Sequence, residues 1–352
     1  MVKAIRAWTL ATAFVVSVGC SRRHSGPSVP VAYVSDEEGG LVVAVDPVRA
    51  EVIVRIPVGK RPRGLKVAPD GTRLFVALSG SPRAGPGVEA KDLPPPDRAA
   101  DGIGVVDLAS NKVIATFPSG QDPESFDISP DGKTLYVSNE ESAELTAVDV
   151  GAGTVRAKVG VGHEPEGVKV RPDGKVVLVT SEQDDEVTAI DAATLAVLAH
   201  VPTGARPRGI AFTPDGLTAF ITNEGSASVT VVDTAAFRPV ASIPVSQGSA
   251  TPGGPRPMGA AVSADGKMLY VSTGRGGSIA VIDVPARKQV RSIDGVGNRP
   301  WGITLMRDGN RLLCANGSSH DMSIVNLATG NVDQRVPVGG LPWGVVLWEP
   351  AP

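Results

Sequence analysis

Gly120-Gln121-Asp122-Pro123-Glu124, followed by Pro130-Asp131-Gly132-Lys133, Tyr136-Val137-Ser138-Asn139 and Val148-Asp149, is one copy of a unit that the chain repeats. Its first mark, Gly-x-x-Pro-x-Gly, starts at Gly59, Gly120, Gly162, Gly204, Gly254, Gly297 and Gly339, with Ser125 replacing the closing Gly of the second copy. The spacings are 61, 42, 42, 50, 43 and 42, so the unit is 42 residues, with 19 extra in the first interval and 8 in the fourth. A second mark, an aliphatic residue then Asp, recurs at Asp46, Asp107, Asp149, Asp191, Asp233 and Asp283, and Asn326 completes seven. A third, Asp-Gly, recurs at Asp70, Asp131, Asp173, Asp215, Asp265 and Asp308.

Each unit divides into four short strands: the run after Gly-x-x-Pro, the Tyr-Val-Ser-like run after Asp-Gly, the run ending in Asp, and the run before the next Gly. Alternation is plainest in Ser228-Val229-Thr230-Val231-Val232-Asp233. Pro-Asp-Gly makes the turn between the first two strands, because Pro presets φ, Asp bonds its own backbone and Gly accepts positive φ. The Asp closing the third strand is expected to form an Asx turn before the fourth. Four strands at this period predict an all-β fold, and seven units predict a seven-bladed β-propeller of four-stranded blades. The pattern opens at Ala32-Tyr33-Val34-Ser35, a second strand without a first, and stops at Pro342-Trp343-Gly344-Val345-Val346, a first strand without a second. The C-terminal strand should therefore join the N-terminal blade and close the ring, leaving no open edge between blades.

The 352 residues hold 34 Lys+Arg against 37 Asp+Glu, a net charge of -3, which lacks the basic excess of a nucleic-acid-coating protein. Hydrophobic residues reach 42% while aromatic ones are 4%, so the core must rest on Val, Ile, Leu and Ala, which suits strands. Residues 1–19 read as an export signal: Lys3 and Arg6 precede the 12-residue apolar stretch Trp8 to Gly19, too short to span a bilayer. Ser17-Val18-Gly19-Cys20 resembles the lipobox of bacterial lipoproteins, which implies lipidation at Cys20 and membrane contact through the lipid alone, in the periplasm or at a membrane surface. The alternative is an ordinary secretory signal. Residues 20–30 would then be a polar tether and 31–350 the propeller, with insertions at 79–101 and 246–255. Cys314, in Leu312-Leu313-Cys314-Ala315, reads as a buried small hydrophobe.

Tyr136-Val137-Ser138-Asn139, with Pro130-Asp131-Gly132-Lys133 before it and Val148-Asp149 after it, resembles the YVTN-type β-propeller repeat, over Val31 to about Trp348. Within that group, Gly120-Gln121-Asp122-Pro123-Glu124, Glu164-Pro165-Glu166-Gly167, Arg206-Pro207-Arg208 and Leu341-Pro342-Trp343-Gly344-Val345-Val346 are similar to the propellers associated with pyrroloquinoline-quinone-dependent alcohol catabolism. The resemblance implies an extracytoplasmic partner of quinoprotein oxidation. Lactonase-like proteins and the haem-carrying domain of nitrite reductases are related propellers. The insertion at 79–101 departs from the plain repeat.

In a propeller, the links into the first strand and those joining strands two and three share one face around the central channel, where variable loops ride on rigid strands. The residues after Pro form a ring at this mouth: Trp343, Arg63, Glu124, Glu166, Arg208, Met258 and Trp301. Those before Pro form another: Leu341, Arg61, Asp122, Glu164, Arg206, Arg256 and Arg299. Gly and Pro repeat while these positions differ, and such broken symmetry points to a ligand. Arg offers planar paired donors and Trp a flat wall, so a flat or extended anion near Arg63, Arg299, Trp301 and Trp343 is one expectation. Mutual neutralisation of Arg and Glu across the mouth is the other. Glu124, Asn139, Glu166 and Glu182 are oxygen donors suited to Ca²⁺, and lactonase-like propellers hold a metal in their channel. Asp36-Glu37-Glu38 and Asp184-Asp185-Glu186 read as solvated loop tips, and the insertion at 79–101, with Pro94-Pro95-Pro96, as a flap over the same face. His163 and His320 fall in mouth-facing loops, where imidazole suits haem ligation or a base. No Gly-x-Ser-x-Gly, Cys-x-x-Cys-His or dinucleotide fingerprint occurs. Two functions remain open: a non-catalytic binding or scaffold propeller serving a periplasmic quinoprotein, and a lactone-type hydrolase using Glu124 and Glu166 with Arg63 or Arg208. A haem or quinone carrier is a third use of the same face.

Overall fold

The computed structural model of the chain describes residues 26–83, 92–246 and 254–350. The expected export signal, Cys20 and the first half of the tether lie outside these residues, as do the middles of both insertions.

Seven four-stranded antiparallel sheets form the blades of a propeller. Their innermost strands are Pro342–Trp348 in blade one, then Pro62–Val67, Pro123–Ile128, Pro165–Val170, Pro207–Phe212, Ala260–Val262 and Pro300–Leu305, each touching the next around the ring. In blade one the C-terminal strand pairs with Val31–Asp36, with Val345 opposite Val34 and Leu347 opposite Ala32. Trp348 Nε1 donates to the carbonyl of Pro27 at 2.9 Å, so the described end of the tether is docked on the propeller. Among the described residues, no helix is long and apolar enough to cross a membrane.

The second strand of each blade is covered on both faces, which is why it reads as an apolar run; Thr134–Asn139 and Val176–Ser181 are buried throughout. The outer strand Glu51–Pro57 instead alternates toward solvent. Cores lie between blades: Tyr136, Leu145 and Ala147 of blade three pack on Val168, Val177 and Val179 of blade four. Each fully buried side chain of this kind contributes roughly 1.5–3 kcal/mol. Cys314 is buried in such a core, and burial pushes its thiol well above the usual range.

The repeated polar residues are turn chemistry. Glycine of each Asp-Gly pair has positive φ, 73° at Gly132, and Asp131 Oδ1 accepts from Lys133 N–H at 3.1 Å. The Asp closing the third strand caps its turn as expected: Asp149 accepts from Ala152 N–H at 2.7 Å, Asp233 from Ala235 at 2.9 Å, and Asn326 from Ala328 at 3.1 Å.

The closing glycine of Gly-x-x-Pro-x-Gly has a different cause. A Cβ on Gly209 would stand 2.3 Å from Met258 O, and one on Gly167 2.1 Å from Arg208 O, so glycine lets neighbouring inner strands approach. A hydroxyl on the second strand joins them there. Thr180 Oγ1 accepts from Gly167 N–H at 2.8 Å and donates to Arg208 O in the next blade at 2.9 Å. Thr222, Ser272, Ser35 and Ser138 repeat this bridge to Met258, Trp301, Arg63 and Glu166. The carbonyl held in each case belongs to the residue after Pro, so the backbone of the mouth ring is fixed while its side chains stay free to differ.

Candidate functional site at the channel mouth

Two backbone devices aim side chains at the mouth. The inner strands carry β-bulges, with Pro207 opposite Asn223 but Ile210 opposite Ile221, so one extra residue intervenes just where Arg208 sits. The residue before Pro is left-handed at Arg61, Asp122, Glu164, Arg206 and Arg299, with φ from 41° to 56°. At Asp122, Glu164 and Arg206 this turns the carbonyl to accept the N–H of Glu140, Glu182 and Glu224 at 3.0, 2.9 and 2.8 Å. Those glutamates are thereby set beside the ring.

Across blades one to five the mouth is an ion-pair network. Arg63, buried, has Nε 3.2 Å from Glu37 Oε1 and Nη1 3.8 Å from Asp122 and 3.5 Å from Glu140, and it also contacts Glu124. Burial draws its guanidinium toward neutrality, but Glu37, Asp122, Glu140 and Glu166 outweigh this and raise its pKa. Arg61 reaches Glu37 at 3.0 Å. Arg208 has Nη1 2.6 Å from Glu182 and Nη2 2.9 Å from Glu224, and it contacts Glu166. Arg206 contacts Glu182 and stands 3.7 Å from Glu224, and Arg256 is 3.6 Å from Glu224.

Carboxylates outweigh the nearby arginines here. Burial, reinforced by Glu166 and opposed by Arg63, pushes Glu140 up to about 7. Burial, opposed by Arg208 and reinforced by Glu166, pushes Glu182 up to about 8. Glu224 is held below the usual range, because Arg208 overcomes the effect of burial.

The side of the mouth formed by Arg299, Trp301 and Trp343 differs. The Trp301 and Trp343 rings meet edge to face, 5.7 Å apart at 88°. The Arg299 guanidinium lies over Trp301, 4.9 Å from its centroid. Burial, then Arg275 and Arg83, lowers the Arg299 pKa, with Glu37 and Glu224 opposing. Between the two sides the channel encloses about 230 Å³, walled by Glu166, Arg208, Met258, Trp301 and Trp343 with the inner-strand backbone.

Several expectations change. Arg63 does not join Arg299 and the tryptophans; its guanidinium is held by carboxylates of blades one and three, so mutual neutralisation describes that side. Glu37 is buried and neutralises Arg61 and Arg63, and Asp36 accepts from Leu341 N–H at 2.8 Å, so of the run at 36–38 only Glu38 is exposed as a solvated tip would be. Glu37 follows the end of its second strand as Glu140, Glu182 and Glu224 follow theirs, and that shared register was the signal for it. Asn139 is fully buried, its amide donating to Val137 O, Glu144 O and Thr146 Oγ1 at 3.0–3.3 Å, which turns it away from the carboxylates it was grouped with. Glu166 and Glu182 meet on Arg208, while Glu124 sits on Arg63; among the described residues no group of three or more His, Cys, Asp or Glu is arranged to hold a metal ion. Glu164 meets Gln183 at 2.5 Å. His163 is exposed against Asp184 at 3.2 Å, and His320 contacts the carbonyl of Gly340. The base of the first insertion is tied down by Lys60 to Asp97 at 2.7 Å, Gly80 N–H to Asp101 at 2.7 Å, and Arg98 to Glu141.

Residues 162–338 match the family described as lactonase, seven-bladed β-propeller, and residues 90–173 match the YNCE-like β-propeller family. A search of curated proteins returned no significant match. Among solved structures, a chain of Kuenenia stuttgartiensis hydrazine synthase superposes with a TM-score of 0.72 at 20% identity, over 90% of this chain and 99% of that one. A putative 6-phosphogluconolactonase from Bacteroides fragilis gives 0.71 at 17%, over 91% and 98%, and one from Bacteroides uniformis 0.69 at 16%, over 91% and 99%. At these identities the likeness is one of fold.

Proposed function

Because the chain belongs to the lactonase family of seven-bladed β-propellers, we propose that its channel mouth is a small-molecule site whose ligand is a flat or ring-shaped compound bearing a negative charge. One observation carries this: of the mouth arginines 61, 63, 206, 208, 256 and 299, Arg299 alone among the described residues has no carboxylate within ion-pair distance, and it lies on the Trp301 and Trp343 wall. An anionic ring would stack on that wall and meet Arg299, with Arg275 adding charge. Trp301 and Trp343 report directly, so tryptophan fluorescence titrated with sugar acids, their lactones and pyrroloquinoline quinone is the test. Saturable quenching by one class, lost in Trp343→Ala and Arg299→Ala, is expected. Quenching by none of them, or unchanged in both variants, would refute the reading.

A second reading, lactone hydrolysis, is favoured by Glu182, which keeps its proton near neutrality beside Glu166 and Arg208. Glu166 would take a proton from water, Arg208 would polarise the lactone carbonyl, and Glu182 would protonate the departing ring oxygen. Ring opening that survives unchanged in Glu166→Gln would exclude it. We also place the protein outside the cytoplasm, held by lipid on Cys20, with a periplasmic quinoprotein as partner; residues 1–20 support export and the blade sequences at 120–124, 164–167, 206–208 and 341–346 support the partner. Labelling with a radioactive fatty acid that is equal in wild type and Cys20→Ala would overturn the anchor.

A further inference from the structure

Three residues along the inner strands from the mouth ring, blades two to four carry Lys66, Asp127 and Lys169. At the same position the other blades have Ala211, Ala261, Thr304 and Val346, so charge in this tier is confined to one arc. Each bulge adds a residue between the two tiers, which lets residues three apart, such as Glu166 and Lys169, share a face. Lys66 Nζ is 3.1 Å from one oxygen of Asp127, Lys169 Nζ is 3.4 Å from the other, and Val170 N–H donates to that second oxygen at 3.0 Å. Asp127 is 6% exposed, and both lysines line the channel. Two ammonium groups thus share one carboxylate inside the cavity. One positive charge is left over there, on lysine side chains 26% and 35% exposed and so within reach of a solute in the channel.

We infer that Lys66 and Lys169 form an oxyanion-binding position within the channel, separate from the Trp301 and Arg299 wall, that takes a small divalent anion of the sulfate or inorganic phosphate type. The surplus charge attracts such an anion, which accepts ammonium protons that Asp127 leaves unused. Asp127 competes with it for both lysines. Burial lowers Lys66 to about 8 against the pull of Asp127 and with the push of Lys169, the two charged groups facing it. The anion needs Lys66 charged, so binding weakens as pH rises through about 8.

Sulfate is the probe, titrated during thermal unfolding of the whole exported chain at ionic strength held constant with chloride. A saturable rise in Tm is expected, smaller at pH 9 than at pH 7. Lys66→Met and Lys169→Met should weaken apparent affinity about tenfold, one charge-assisted contact each. Asp127→Asn should strengthen it about as much, and Arg299→Ala should leave it unchanged. If the lysine variants do not fold, Asp127→Asn and the pH dependence still decide. No rise beyond chloride, a rise retained in both lysine variants, one lost in Arg299→Ala, or weaker binding in Asp127→Asn would each overturn the proposal.

Discussion

Glu182 permits a test of the mouth in which sign matters more than size. Its carboxyl is raised from 4.5 to about 8 chiefly by burial, with a side chain only 5% exposed. Between those pH values the folded protein binds a proton there that the unfolded chain has released. Stability therefore falls as pH climbs from about 4.5 to about 8, and is flat beyond on this account. At roughly 1.4 kcal/mol per pH unit, the full effect is about 5 kcal/mol. Glu182→Gln keeps the shape and removes the titration. The variant should match wild type at pH 4.5 and be more stable at pH 9. About half the full effect is expected, because Glu182 titrates together with Glu166 on the shared Arg208 and does not carry the whole effect alone. At about 2 °C per kcal/mol for a chain of this size, Tm at pH 9 should rise by about 5 °C. Thermal unfolding of both proteins from pH 4.5 to 9 reads this directly. A variant less stable than wild type at pH 9, or displaced equally at all pH values, would show that the Arg208 ion pairs dominate and that Glu182 is charged throughout.

Thr180→Val removes the hydroxyl bridging Gly167 N–H and Arg208 O while preserving shape, so two partly buried backbone groups lose a partner; a loss of about 1–3 kcal/mol is expected in chemical unfolding. Gly209→Ala would push a methyl against Met258 O, 2.3 Å away, costing about 3 kcal/mol or more, whereas Gly295→Ala meets nothing within 4 Å and costs only the strain of φ 68°, about 1 kcal/mol; equal Tm values for the two would contradict the close-approach account. Ending the chain at Gly340 deletes the strand paired with Val31–Asp36, so the truncated protein should aggregate or unfold without cooperativity; a monomer with wild-type Tm would disprove closure by that strand.

The fold was legible because each repeated residue answers the same geometric demand in every copy. The turn glycine after Asp must accept positive φ, the Asp after strand three must cap a turn, and the closing glycine must admit the next blade's carbonyl. Pairing at the mouth was not legible in the same way. Arg63 meets Glu37 on one side and Glu124 and Glu140 on the other, partners 26, 61 and 77 residues distant, and no local pattern announces them. Glu37 was hidden further by its acidic neighbours, which gave the segment the composition of an exposed loop. Lys66, Asp127 and Lys169 sat within runs that read as ordinary strand alternation, and only the bulge brings them to the same tier.

That division follows from how the blades are joined. The bridge through Ser35, Ser138, Thr180, Thr222 and Ser272 uses the carbonyl of the residue after Pro and makes no demand on its side chain. Arg63, Glu166, Arg208, Met258 and Trp301 are therefore interchangeable as far as blade packing is concerned. What constrains them is each other: Arg208 without Glu166, Glu182 and Glu224 would be a largely buried unpaired cation, and the reverse substitution would strand carboxylates. Trp301 and Trp343 lie under neither constraint, since their contacts with each other and with Arg299 neutralise no buried charge. An aromatic pair at the channel mouth, beside a cation without a carboxylate within ion-pair distance, is explained by neither blade packing nor charge pairing, which is why the ligand is sought on that arc.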